Sequence, residues 1–170
     1  MPQFYSLHES PGITISHDKQ NCWLYMQWLG NQNAESIREG CLLLLHYLHE
    51  TKCVKLLNDD THVTIAAQPS GTALNWQAEE VPLEGSAAWV GSSFYTMLAD
   101  AGLQYIAWVN APSVLNRRTA DLALAVSETV QLSDNRPLVA TFDDLASAYE
   151  WLQKREVKRT FSSEVPSFIH

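Results

Sequence analysis

Basic residues are scarce in this chain: 11 lysines and arginines stand against 19 aspartates and glutamates, for a formal net charge of -8. Such a field repels polyphosphate backbones, which excludes nucleic acid as a partner unless the few cations gather on one face. Cysteine is sparse as well. Cys22, Cys41 and Cys53 cannot all pair with one another, and none stands at metal-ligand spacing. Each lies in or beside an apolar segment, so buried, reduced thiols are expected. The longest apolar run, residues 41–45, is too short to cross a bilayer. Residues 1–8 lack the basic stretch and apolar core of a secretory signal. The expectation is a cytoplasmic protein with no transmembrane segment. Phosphate-cradling glycine loops, dinucleotide fingerprints, the Gly-x-Ser-x-Gly elbow and the His-Glu-x-x-His zinc motif are all missing, so no cofactor and no metal are expected.

What is present is a globular balance, 170 residues of which 46% are hydrophobic and 18% charged, enough for one domain with a substantial core. Residues 13–17 alternate apolar and polar, and residues 22–29 are almost continuously large and apolar. Together they predict a hairpin across residues 18–21, its second strand buried on both faces and ended by Gly30 and Asn31. Asn33 is a fitting N-cap for a helix reaching Glu50, with Glu35 near the positive end of its dipole. Ile37, Cys41, Leu44, Leu45 and Leu48 recur at three- and four-residue steps, an apolar stripe that packs on a sheet.

Residues 53–57 form the next strand, so strand, crossover helix and strand make a parallel βαβ unit. The following residues, 62–91, read as an insertion rich in proline, glycine and small side chains, carrying Trp76 and Trp89. A helix then begins at Ser92 or Ser93, turns Phe94, Met97, Leu98 and Ala101 inward, and stops at Gly102. Strand 103–109, a helix from Ser113 to about Glu128, strand 137–142 and a helix capped by Asp143 complete the order. The predicted fold is α/β: a mainly parallel sheet of about five strands, the first an antiparallel edge, flanked by helices. Residues 1–153 make a single domain, and 154–170 are a helix end and tail.

Ligands of parallel sheets sit at carboxyl strand ends, which draws attention to Asn58, Asp59, Asp60 and Thr61. Two carboxylates and a hydroxyl there can bind a cation, orient a water or accept a phosphate on Thr61. The competing reading is plain turn chemistry, since Asn, Asp and Thr bond nearby backbone donors wherever a chain leaves a strand. Trp76 and Trp89 can roof a ligand pocket above this end or simply anchor the insertion. Trp23 and Trp28, five apart in a strand, face opposite layers. His46, His49 and Glu50 lie off the apolar stripe of their helix and read as solvated. Lys154, Arg155, Lys158 and Arg159 gather where cations complement a helix dipole.

Several of these patterns resemble a known family. Trp28-x-Gly30 precedes a long helix; Leu56-Leu57-Asn58-Asp59 is followed by Thr61; Met97-x-x-Ala-Gly-Leu103 leads into Tyr105-Ile106-Ala107-Trp108-Val109; Phe142-Asp143-Asp144-Leu145 precedes Trp151-Leu152. Over about residues 13–152 the chain is similar to uncharacterised STAS-like proteins of Bacteroidetes-type bacteria. The resemblance implies the anti-sigma-factor-antagonist (SpoIIAA-like) fold, related in shape to Sec14-like lipid-binding domains. In the antagonists a serine or threonine in an Asp-Ser-[Ser/Thr]-Gly run is phosphorylated. Here the matching run reads Asp59-Asp60-Thr61-His62, which keeps an acid and a hydroxyl without the paired hydroxyls or the glycine.

Two functional expectations follow. One is a non-enzymatic STAS-like regulatory or binding module for a partner protein or a small apolar ligand. The other is an enzyme or phosphorelay component acting through Asp59, Asp60 and Thr61. A homodimer through exposed helix faces or the aromatic insertion is compatible with either, though the sequence marks no self-complementary seam.

Overall fold

The computed structural model of the chain describes residues 3–64, 89–112 and 136–158. Among them, six strands lie in one sheet in chain order: β1 (Phe4–Glu9), β2 (Ile13–Asp18), β3 (Trp23–Asn31), β4 (Lys55–Thr64), β5 (Tyr105–Val109) and β6 (Leu138–Phe142). β2 runs antiparallel to both β1 and β3, and β3 to β6 are parallel. The α/β class is as the sequence predicts, with one strand more. That strand, β1, escapes a pattern reading because its register slips between Ser6 and His8 and half of its residues are exposed.

Among the described residues, three helices accompany the sheet: α1 (Ala34–Thr51), α2 (Tyr95–Asp100), entered through a π-helical turn at Val90–Phe94, and α3 (Leu145–Gln153). Helix α1 starts where its sequence says. Asn33 accepts from the Ser36 amide at 2.9 Å, and the Ser36 hydroxyl accepts from the Asn33 amide at 2.9 Å, a reciprocal cap. Helix α2 ends at Gly102, whose φ of +89° lets Leu103 donate back to the Leu98 carbonyl. Two expectations shift. The Ser92/Ser93 cap is replaced by a start at Trp89, and the inner face carries Tyr95 while Met97 is exposed. The cap of α3 is Asp144 in place of Asp143, accepting from the Ser147 amide at 2.8 Å. The expected helix at 113–128 lies outside the described residues, as does most of the insertion.

The two faces of the sheet bury different cores. On one, Ile13, Ile15, Leu24, Met26, Trp28, Leu56 and Ile106 meet the α1 stripe of Cys41, Leu44, Leu45 and Leu48, together with Phe94, Tyr95 and Leu98. On the other, Trp23, Leu57, Tyr105, Ala107 and Val109 meet Ala148 and Leu152 of α3. Trp23 and Trp28 thus serve opposite layers, as their spacing requires. Lys55 anchors the second layer. Its buried ammonium donates to the carbonyls of Leu152 at 2.8 Å and Arg155 at 2.5 Å, capping the C-terminal end of α3, and lies 5.5 Å from the Trp23 ring.

Helix α1 comes close to the sheet at Gly40. A β-carbon there would stand 2.6 Å from Cζ3 of Trp28 and 2.9 Å from Cδ1 of Ile13. Helix α1 lies so close to β2 and β3 because position 40 has no side chain. Ala is favoured over Gly in a helix by about 1 kcal/mol, whereas overpacking costs about 1–3 kcal/mol. Gly40→Ala is therefore expected to lower stability by up to about 2 kcal/mol in urea denaturation. A stabilised variant would contradict this packing.

Candidate functional site

Strand β4 does not end at Leu57. It continues through Thr64, so Asn58, Asp59, Asp60 and Thr61 lie inside a strand, and the predicted strand-end loop is corrected. Polar side chains can remain in a central strand because donors from its neighbours and from Thr61 meet them. β5 accompanies β4 only as far as the Asp59↔Val109 pair, whereas β3 runs beside it to Asn31↔Thr64. Between these limits the register of β3 and β4 slips: Gln27 faces Asp59, but Leu29 faces His62. Two steps on β3 meet three on β4, a β-bulge at Asp60 and Thr61.

Period-two alternation splits the polar run between the faces. On the α1 side, the Trp28 indole donates to Asn58 Oδ1 at 3.0 Å, Asn58 Nδ2 donates to Asp60 Oδ1 at 3.0 Å, and the Trp108 indole donates to Asp60 Oδ2 at 2.6 Å. This chain links β3, β4 and β5 in one line. On the other face, the Tyr25 hydroxyl donates to Asp59 Oδ2 at 2.6 Å, and both the amide (2.9 Å) and the hydroxyl (2.6 Å) of Thr61 donate to Asp59 Oδ1. Asp59, almost wholly buried, is thereby met by three donors.

The bulge brings Thr61 and His62 to the side of Gln27. His62 Nδ1 lies 3.0 Å from the Thr61 hydroxyl and 3.2 Å from Gln27 Nε2. The single hydroxyl proton goes to the carboxylate, the stronger acceptor, which leaves His62 Nδ1 to accept from Gln27. Tyr25, Gln27, Asp59, Thr61 and His62 form a continuous polar strip, buried at Asp59 and exposed at His62. Residues 25, 27 and 62 were not singled out in the sequence. Their signal is only that Tyr25 and Gln27 share the strand parity of Trp23.

The two carboxylates do not converge, so they cannot clamp one cation or share one substrate atom. Among the described residues, no group of three or more His, Cys, Asp and Glu side chains could hold a metal ion. His46, His49 and Glu50 are exposed on α1. Trp89 is packed against the body: its ring stacks on Phe94 at 5.7 Å, with the Arg38 guanidinium 5.2 Å from it. Trp76 lies outside the described residues. Cys41 and Cys53 are buried as expected, but Cys22 is exposed, a correction that follows from its place in the β2–β3 turn with φ of +56°.

The surroundings of Asp60 act on its protonation. Burial pushes the Asp60 carboxyl up to about 7; the bonds from Trp108 and Asn58 oppose the shift, and the charge of Asp59 adds to it. The residue as a whole keeps some exposure, but its carboxyl group is the desolvated end. Burial, then the bond to Asp59, raises the Tyr25 hydroxyl well beyond its ordinary range. A carboxyl whose pKa rises on folding binds its proton more tightly in the folded state. Its contribution to stability is complete below about pH 4 and is lost as pH climbs through about 7. Relative to Asp60→Asn, the wild-type protein is expected to lose stability with rising pH across that window. The slope should approach ~1.4 kcal/mol per pH unit in urea titrations. Parallel curves for the two proteins would contradict the assignment.

No helix among the described residues is long and apolar enough to cross a membrane. No protein-family model and no curated protein matches the chain. Among solved structures it is similar to a chain in the crystal structure of diguanylate cyclase SiaD in complex with its activator SiaC from Pseudomonas aeruginosa. The identity is 12% and the TM-score 0.39, over 81% of this chain and 99% of that one, a likeness too distant to assign a fold or an activity.

Proposed function

We propose that this protein is a non-enzymatic STAS-like regulatory module that acts by binding a partner protein through the polar strip of β3 and β4. The observation that carries this reading is the division of Asp59 and Asp60 between the two faces of the sheet, each tied to aromatic donors. Acid–base catalysis needs a carboxyl group free to meet a reacting atom. Asp59 is enclosed by three donors, and Asp60 lies under an indole. What faces outward is a row of hydrogen-bonding side chains on a rigid strand pair, suited to recognition. The packing of Trp89 on Phe94 favours a protein partner over a small apolar ligand, because one of the two rings meant to roof a pocket already serves the core.

A second reading is favoured by the geometry of Thr61, whose hydroxyl lies 2.6 Å from the Asp59 carboxylate at the bulge. Phosphate on that oxygen would replace a donated hydrogen bond with like-charge repulsion against a buried acid. The bulge would have to open, which makes Thr61 a fitting phosphorelay acceptor on the same recognition strip. Incubation with ATP and extract of the native cell, followed by peptide mass spectrometry, is expected to find phosphate on Thr61. A chain that stays unmodified there under varied growth conditions counts against it.

The binding reading is tested with a photo-crosslinking amino acid placed at the exposed His62 and, as control, at the exposed His46 on α1. One discrete protein adduct is expected in cells at position 62 and none at 46. Equal or absent labelling would contradict the assigned surface. A saturable change of tryptophan fluorescence with fatty acids, lost in Trp89→Phe, would instead favour the apolar ligand.

A further inference from the structure

Cys22 and Cys53 come from opposite ends of the βαβ unit and meet at the amino-terminal edge of the parallel strands. Cys22 ends the β2–β3 turn, and Cys53 is held between the end of α1 and the start of β4. The Val54 amide donates to the Cys22 carbonyl at 3.3 Å, one residue before the Trp23↔Lys55 pair. That contact sets the backbones of residues 22 and 53 side by side, at the spacing of neighbouring strands, roughly 4.8 Å. A disulfide spans α-carbons roughly 4.4–6.8 Å apart. The side chains also share surroundings. Cys22 and Asp18 both bear electrostatically on the Cys53 thiol, and Cys22 on the Lys55 ammonium. Cys41 is buried on α1 itself, in the core with Tyr95 and Leu98.

We infer that Cys22 and Cys53 are a thiol pair that a hydroperoxide converts to an intramolecular disulfide, clamping the β2–β3 turn to the junction of α1 and β4. Exposure makes Cys22 the attacking sulfur. Its thiolate attacks the peroxide: an S–O bond forms, the O–O bond breaks, and an alcohol or water leaves with the second oxygen. The sulfur, oxidised by two electrons, is then a sulfenic acid. Cys53 is the resolving sulfur. Burial pushes its thiol up to about 11, so it stays protonated until the sulfenic acid forms beside it. Its sulfur then attacks Cys22 as its proton passes to the departing hydroxide; the S–S bond forms, the S–O bond breaks, and water leaves. In total, two thiols and one hydroperoxide give a disulfide, an alcohol or water, and one further water.

The full-length protein suffices for the test. Treated with a small excess of hydrogen peroxide and digested with trypsin without reductant, it separates all three cysteines, since cleavage follows Lys19, Arg38, Lys52 and Lys55. The expected product is peptide 20–38 joined to peptide 53–55, about 2 Da lighter than the sum of the two, with Cys41 still free in peptide 39–52. Dithiothreitol should restore both thiols. In Cys53→Ser the same treatment should leave Cys22 as a sulfenic acid that dimedone captures, whereas wild-type protein gives no dimedone adduct at completion. The wild-type map stands alone if that variant does not fold. Overoxidised Cys22 with unlinked Cys53, a link to Cys41, or a disulfide joining two chains would each overturn the inference.

Discussion

Asn58, Asp59 and Asp60 sit in consecutive positions of β4, the first two between β3 and β5 and the third in the bulge just beyond, and their desolvation constrains everything around β4. A buried carboxylate without partners costs several kcal/mol, a large share of the roughly 5–15 kcal/mol that keeps a domain folded. The strand is stable because donors come to it: Trp28 and Trp108 on one face, Tyr25 and Thr61 on the other. These donors stand on β3, β4 and β5, so the same bonds that satisfy the acids fix the relative positions of three parallel strands. Polar satisfaction here specifies register, which apolar packing alone does less sharply.

The same division of labour bears on function. Asp60, pushed up to about 7 by burial beneath an indole, and Asp59, enclosed by three donors, differ in environment, as the members of a catalytic pair do. Their side chains, however, point to opposite layers. What remains for the outside world is the far side of the Asp59 network, Thr61, His62 and Gln27, displayed where a bulge turns two successive side chains to one face. Recognition, and its adjustment by a charge on Thr61, suits that display better than chemistry does. Lys55 performs the corresponding task at the other end of β4, where a buried cation meets the carbonyls at the end of α3.

Much of the frame is legible in the sequence because it depends on local signals. The α1 stripe, the Asn33 cap, the Gly102 stop and the opposite orientations of Trp23 and Trp28 each follow from spacing within one element. The length of β4 is not local. Asn, Asp, Asp and Thr read as a turn because, taken alone, their side chains compete for the backbone; only indole and phenol donors from other strands reverse that preference. The α3 cap moves from Asp143 to its neighbour Asp144, a one-residue ambiguity between two capable acids. Tyr95 displaces Met97 inward because the helix begins earlier, in a π-helical turn that shifts the phase of the stripe. The site residues Asn58 to Thr61 were visible by type and position, but their partners Tyr25, Gln27, Trp28 and Trp108 were tied to them only by the register of the sheet.

Double-mutant cycles on global stability test the division of β4 most directly. Trp28→Phe and Trp108→Phe each remove a donor from the chain running through Asn58 and Asp60, so their effects should be non-additive by about 0.5 kcal/mol or more. Tyr25→Phe removes a donor from the opposite face and should add to Trp108→Phe within about 0.5 kcal/mol. Additivity in the first pair together with strong coupling in the second would mean that Asp59 and Asp60 act as one cluster, contradicting the account.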